Sequence, residues 1–249
     1  MNIDAFLTPY FPEKEDRFKK SLVIMIDVLR AGTTICAALY NGAKEIIPNE
    51  SVETAVKIYS SLSKDNRFLG GERDGRMPNG FDGGNSPSEY SMDVVNNKTI
   101  IFTTSNGTST FLKAKDAVER IIGSFVNINA VLDFLTFFIH NYGQENLNIT
   151  FLCSGTNGRL SYEDTTCAGA YIDLISKNFL DSVMTDTALA AMEIYKKHET
   201  NLQQFIFERE HAQFLNKLGF ENDIKIAMSY DYYPIVPIIR GNSIRAFRS

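Results

Sequence analysis

Five acidic residues stand where they could serve one reaction: Asp27, Glu72, Asp82, Glu163 and Asp164. Asp27 ends the apolar run SLVIMID, and a carboxylate there is costly to bury without a partner. A divalent cation would satisfy it, and so would the nearby Arg30. Glu163 and Asp164 open a helical pattern, where acids also complement the positive end of a helix dipole. Asp82 lies in GFDGGNSP and could equally form an Asx turn. Mg²⁺ takes oxygen ligands in near-octahedral array and keeps water and substrate phosphate oxygens among them. Carboxylates gathered at neighbouring strand ends suit it.

Around these acids lie turns built for oxyanions. Thr33–Thr34 follow Asp27 and Arg30. Thr104, Ser105, Asn106, Gly107 and Thr108 form a second turn. Ser124 and Asn127, and then Ser154, Gly155 and Thr156, follow two further apolar runs. Glycine lets backbone N–H groups approach a phosphate, and the next helix adds about half a positive charge at its start. Ordinary N-capping is the plain alternative for any one of these turns. None has the lysine of a Walker A loop or the GxGxxG spacing of a dinucleotide site.

Two other phosphatase chemistries share features with the chain. CSGTNGR, Cys153–Arg159, has the Cys-x5-Arg spacing of a thiolate phosphatase, but Leu152 precedes it instead of the usual histidine. Asp27 is placed like an aspartyl nucleophile of the haloacid-dehalogenase type, but Leu29 stands where that pattern needs a second aspartate. His140, His198 and His211 fall in helical patterns away from the strand ends and read as surface or structural residues.

These residues need a scaffold that brings strand ends together. Short apolar strands are expected at Ser21–Asp27, Glu45–Pro48, Arg67–Glu72, Thr99–Thr104, Val118–Gly123 and Leu147–Cys153. A last one is expected in DYYPIVPIIRG, with Ile244–Phe247 beside it. Helices are expected over Thr33–Asn41, Ser51–Ser63, Asn129–Tyr142, Tyr162–Ser176 and 186–219, and from the fourth strand to about Lys115. This alternation predicts a layered α/β/α fold with a mostly parallel sheet, in which ligands bind beyond the carboxyl ends of the strands. The whole of 1–249 is expected to form one catalytic unit. LRAGTTICAAL and TSNGTSTFLKA echo one another, either by chance or as a trace of two similar lobes, about 1–98 and 99–249.

The bulk numbers are those of a globular chain. It has 249 residues, 44% hydrophobic and 22% charged, with a net charge of −5. No basic excess exists to neutralise nucleic-acid phosphates, and no apolar run approaches a membrane span. Three cysteines are odd and sparse. MNIDAFLTPYFPEKEDRFKK lacks an apolar core and reads as no signal peptide. Both lead to the expectation of a cytoplasmic setting, with no nucleic acid and no membrane as partners. Oligomeric state stays open, a homo-oligomer included.

Taken in order, the motifs resemble one family. IDVLRAGTT, GER, GFDGGNSPSEY, TTSNGT, GSFVN, CSGTNGRLSYED, CAG and DYYPIVP look like the succession in 2-phosphosulfolactate phosphatases, over about residues 21–240. The resemblance implies hydrolysis of 2-phospho-3-sulfolactate to sulfolactate and phosphate, a step of coenzyme M biosynthesis that uses Mg²⁺. The implied fold is layered α/β/α and unlike the common phosphatase superfamilies. Gly32, Gly83, Ser105, Ser154 and Met228–Ser229 depart from the usual pattern, which leaves a related 2-hydroxycarboxylic acid phosphate open as substrate. On this reading Asp27, Arg30, Glu163 and Asp164 are catalytic, and Mg²⁺ is held from among the five acids. The Thr, Ser and Gly turns and Asn85 bind substrate, and Arg73 or Arg76 pairs with its carboxylate or sulfonate. A non-catalytic anion-binding protein on the same sheet is the alternative from another class.

Overall fold

The run Ser21–Ile26 is apolar throughout because both its faces are covered. Every one of its residues is buried, as in central strands of parallel sheets. The structure, a computed structural model, describes residues 1–10, 16–143 and 147–247. Residues 11–15 of the N-terminal stretch discussed above lie outside the described part.

Ten strands occur in chain order: β1 Asn2–Phe6, β2 Ser21–Ile26, β3 Glu45–Pro48, β4 Arg67–Gly71, β5 Thr99–Thr103, β6 Glu119–Gly123, β7 Asn148–Cys153, β8 Val183–Met184, β9 Pro237–Arg240 and β10 Ser243–Ala246. Between them lie α1 Ala31–Tyr40, α2 Val52–Ser61, α3 Met92–Val95, α4 Gly107–Phe111, α5 Ile128–Tyr142 and α6 Tyr162–Asn178. Then follow α7 Asp186–His198, α8 Leu202–Phe207, α9 Glu210–Lys217 and α10 Glu221–Ala227. The strands form one sheet in the order β4-β5-β3-β10-β9-β6-β2-β7-β1-β8.

Six of the nine strand pairings are parallel, so the sheet is mostly parallel as expected. β4, β5 and β3 make one parallel block; β6, β2, β7, β1 and β8 make another. The β9–β10 hairpin joins them through three antiparallel steps, so the two blocks run in opposite senses. The first block is drawn from residues 45–103, and the second from segments spread over residues 2–184.

Alternation along β2 sorts the core into two faces. Leu22, Ile24 and Ile26 pack with α5, α6 and α7, whereas Val23 and Met25 pack with Ile35 of α1 and Phe111 of α4. The result is the layered α/β/α arrangement. α2 covers Leu69 and Ile101 at the far end; its N-cap is Ser51, which accepts from Thr54 N.

Several expectations change. The helix after β5 ends at Phe111, not near Lys115. Residues 186–219 form three helices and a short 3-10 turn instead of one rod. The breaks let Leu202, Phe205 and Ile206, and then Ala212 and Leu215, each turn into the same core. β1, β8 and α10 had no counterpart in the sequence reading. β1 did carry a signal: Ile3 and Ala5 alternate with exposed or half-buried neighbours.

Gly169, in the CAG motif, lies where α6 packs directly against the backbone of α7. A Cβ there would stand 2.2 Å from the Ala191 carbonyl oxygen, so the helices must part to admit one. Overpacking of this kind typically costs about 1–3 kcal/mol. Gly169→Ala is expected to lower the urea midpoint accordingly, with an unchanged denaturant slope.

Candidate active site

Asp27 leaves the end of β2 directly into the start of α1. Its Oδ1 accepts from Ala31 N at 3.0 Å, which fixes the carboxylate over the first turn of the helix. Arg30, joined to Leu29 by a cis peptide, is also buried. Its Nη1 donates to Asp223 Oδ2 at 2.9 Å and its Nη2 to Gly75 O at 2.8 Å. The guanidinium also lies 4.0 Å from the ring centre of Phe220. α10 and the glycine-rich loop after β4 therefore lock this arginine beside Asp27.

The same contacts explain how two oppositely directed blocks feed one site. The loop segment 72–85 of the first block folds onto the Asp27–Thr34 turn of the second. Thr34 Oγ1 donates to Asn85 O at 2.9 Å there, and Ser86 Oγ donates to Asp223 Oδ1 at 2.6 Å. A cavity of about 720 Å³ opens between these segments, α6 and α9. That volume lies within the usual range for small-molecule sites.

Asp27, Glu72 and Glu163 border this cavity with Arg30. Glu72 has both oxygens engaged: Oε1 accepts from Ser105 N at 2.7 Å, and Oε2 from Gly75 N at 2.8 Å and Ser105 Oγ at 3.2 Å. It staples the two loops of the first block together. Asp164 is likewise spent. Its oxygens accept from Val28 N at 2.8 Å and Gly155 N at 2.9 Å, tying the end of β2 to the end of β7. Burial, and then the charges of Asp27 and Glu163, push its carboxyl well above the usual range. Asp82 is exposed, lies outside the cavity and accepts from Leu69 N at 2.8 Å. It ties its loop back to β4, a structural role reached across thirteen residues and not the local Asx turn that was the alternative.

Glu163 is held differently. Its Oε1 meets His211 Nδ1 at 2.6 Å, and Thr156 Oγ1 lies 3.2 Å from the same nitrogen. His211 thus belongs to the site, which corrects the reading of all three histidines as surface or structural. Burial alone would lower its pKa, but the Glu163 hydrogen bond and charge, with the Asp27 charge, hold it above the usual value. Asp27 itself is pushed up to about 6, chiefly by burial, with Glu72 and Glu163 repelling its charge; the Ala31 N–H and His211 act the other way.

The expected substrate contacts divide. Asn85, Thr104, Ser105, Asn106, Gly107 and Thr156 border the cavity. Thr33 does not: its hydroxyl donates to Val28 O at 2.8 Å and meets Ser124 Oγ at 2.9 Å. Thr34 is used on Asn85 O, and Thr108 on Thr104 O at 3.0 Å. Ser124 and Asn127 cap each other, and Asn127 Nδ2 also donates to Ile122 O and Ile235 O. Ser154 is buried beneath the site, and Gly155 serves Asp164. These are the capping and turn roles that hydroxyls and amides take when the backbone needs partners.

Arg73 and Arg76 also fall outside the cavity. Arg73 donates to Glu72 O, Glu50 O and Thr103 Oγ1, which consumes its fork on the scaffold. Arg76 is exposed and pairs with Arg73 through its backbone alone. Arg159 and Arg209 border the cavity instead.

The thiolate reading fails on burial. Cys153 is fully buried at the end of β7 and does not border the cavity. Burial, with Asp164 and Glu163 nearby, pushes its thiol well above the usual value, the opposite of a reactive cysteine.

Whether Mg²⁺ fits can be judged from the oxygens left over. Among the described residues no three or more His, Cys, Asp or Glu side chains are gathered into a ready-made metal cage. Mg²⁺ does not need one, since one or two carboxylates with water and phosphate suffice. Asp27 Oδ2 and Glu163 Oε2 accept no hydrogen bond among the described residues, and both side chains border the cavity. Gly107 keeps that space open: a Cβ there would stand 2.5 Å from Asp27 Oδ2. Asp27, Glu72, Asp74, Glu163, Glu208 and Glu210 outnumber Arg30, Arg159, Arg209 and His211 around the cavity. A multiply charged anion would meet net repulsion there without a cation. The donor set fits a hard divalent ion.

Comparison with known proteins agrees with the motif succession. A family model described as 2-phosphosulpholactate phosphatase matches residues 7–242. A protein named probable 2-phosphosulfolactate phosphatase from Caldanaerobacter subterraneus subsp. tengcongensis is 37% identical over 227 residues, 91% of each chain. One of the same name from Thermotoga maritima is 37% identical over 216 residues, 87% of this chain and 88% of its own. Another, from Clostridium perfringens, is 34% identical over 251 aligned positions, 100% of this chain and 98% of its own. The chain belongs to the 2-phosphosulfolactate phosphatase family, a family of phosphoric monoester hydrolases.

Proposed function

We propose that the protein hydrolyses the phosphate monoester of 2-phospho-3-sulfolactate, or of a related 2-hydroxycarboxylic acid, in a Mg²⁺-dependent reaction giving the 2-hydroxy acid and phosphate. The family supports this reading. So does one geometric observation: Asp27 and Glu163 each keep a free carboxylate oxygen at a single cavity that also holds the locked Arg30. The reaction would serve coenzyme M biosynthesis in the cytoplasm.

Asp27 and Glu163 are the residues that would hold Mg²⁺, which when bound supplies positive charge and orientation to the phosphoryl oxygens. Arg30 keeps its planar fork aimed at the cavity because Asp223 and Gly75 fix two of its corners. Its remaining N–H groups bind phosphoryl oxygens, and the Thr104–Gly107 turn lies against the same space. Hydrolysis forms a bond from water oxygen to phosphorus and breaks the bond from phosphorus to the 2-oxygen. A proton passes from the water to the leaving alkoxide, and the His211–Glu163 pair in the cavity carries it. Monoester hydrolysis is so slow unaided that positioned charge must supply most of the acceleration.

A phosphate-release assay on 2-hydroxy-acid phosphates should show turnover with Mg²⁺ and none in EDTA; no release from any of them would overturn the reading. Asp27→Asn is expected to abolish turnover with the fold intact, and unchanged kcat would remove Asp27 from the mechanism. His211 orients Glu163, and losing an orienting partner typically costs about 10–100-fold in metal affinity. His211→Ala should raise the Mg²⁺ concentration giving half-maximal rate by that factor.

Asp27 also makes stability depend on pH. Burial lifts its carboxyl from the usual 3.8 to about 6, so the fold prefers the protonated form. Stability is therefore lost as pH rises from the unfolded value through about 6. In EDTA at pH 8, Asp27→Asn should be more stable than the wild type by roughly 2–3 kcal/mol. At pH 3.5 the two proteins should unfold together, as measured by urea titration.

A further inference from the structure

The cavity has a second positive end that these hydrolytic roles leave unused. Ser161, the residue before α6, is 5% exposed and borders the cavity. Its hydroxyl has no hydrogen-bond partner among the described residues, and it does not cap the helix. The 17-residue helix α6 therefore presents its first amides and the positive end of its dipole uncapped by a side chain. Of the acids of that first turn, Asp164 is committed to Val28 and Gly155, and Glu163 is engaged through Oε1 with His211, its Oε2 being left for the cation.

Two arginines flank the turn. Arg209 lies 4.7 Å from the ring centre of Phe205 and 5.8 Å from that of Tyr162, the first residue of α6. Its Nε donates to Phe205 O at 3.0 Å, which pins the guanidinium. Nη2 has only a 3.3 Å contact with Glu208, a half-exposed pair of little strength, and Nη1 has no partner among the described residues. Arg159, two residues before Ser161, borders the cavity, and its guanidinium has no partner among the described residues. A buried unpartnered hydroxyl, the uncapped start of α6 and two guanidinium groups with unused N–H groups line the same cavity. That donor set matches an oxyanion.

We propose that the start of α6, with Ser161, Arg159 and Arg209, is a second oxyanion subsite that receives a sulfonate or carboxylate of the substrate while its phosphate occupies the Asp27–Arg30 end. The subsite rests on the phosphatase reading for the identity of its ligand. It sets specificity: a phosphate ester carrying a further strong anion is preferred over one without.

Two measurements on the full chain test this. The first is the ratio of kcat/KM for 2-phospho-3-sulfolactate to that for isopropyl phosphate, which carries neither sulfonate nor carboxylate. It should fall at least 30-fold in Arg159→Ala and in Arg209→Lys; a ratio unchanged within threefold overturns the subsite. The second needs no hydrolysis and separates failure of the subsite from failure of the phosphatase reading. Sulfolactate, which carries no phosphate, should raise the melting temperature of the wild type, with its Kd weakened at least tenfold in Arg159→Ala. Arg159 is exposed, so this variant tests the subsite without burdening the fold. Protection by sulfolactate but not lactate assigns the subsite to the sulfonate, and equal protection by both assigns it to the carboxylate. No protection of the wild type, or equal protection of the variant, overturns it.

Discussion

Like charges crowded around one cavity are the constraint around which this structure is arranged. Asp27, Glu72 and Glu163 border the same space, and Asp164 lies directly behind it. Buried carboxylates that repel one another either give up a charge or are individually satisfied. The protein applies a different solution to each. Glu72 and Asp164 receive backbone N–H groups on both oxygens. Glu163 receives a histidine on one. Asp27 receives one backbone N–H and is left with an open oxygen. The residue least compensated by the fold is thus the one with most to gain from a cation.

The scaffold's task is to bring segments of opposite polarity to this point. A plain doubly wound sheet would line up its carboxyl ends along one edge. Here the β9–β10 hairpin reverses direction between the two parallel blocks, so the loops after β4 and β5 must fold across onto the turn after β2. Glu72 joins those two loops to each other, and Arg30 and Thr34 join them to the start of α1. Carboxylate and guanidinium staples do the work that edge alignment does in simpler folds.

Much of this was legible in the sequence, for reasons that also mark where legibility stops. β2, β3 and β5 announce themselves because buried strands are short, apolar and branched. Asp27 stands out because a charge at the end of such a run needs a reason. Which acids face the cavity and which hold backbone was not legible, since Asp164 and Glu163 are neighbours with opposite fates. Arg73 and Arg76 drew notice as fork donors in a glycine-rich loop, but Arg73 is spent on Glu50, Glu72 and Thr103, and Arg76 is exposed outside the cavity that its loop neighbours border. His211 carries no local signal at all. It lies 48 residues from Glu163, and only the breaks between α7, α8 and α9 swing it into place.

The ion pair between Arg30 and Asp223 spans 193 residues. Both partners are buried, and a buried charge deprived of its partner is strongly destabilising. The buried arginine at the cavity is therefore completed by a helix synthesised about 190 residues after it. A nascent chain that has already formed β2, the glycine-rich loop and the Thr104–Gly107 turn still lacks the anchor that fixes its guanidinium. Vectorial synthesis thereby delays a competent site until α10 has docked.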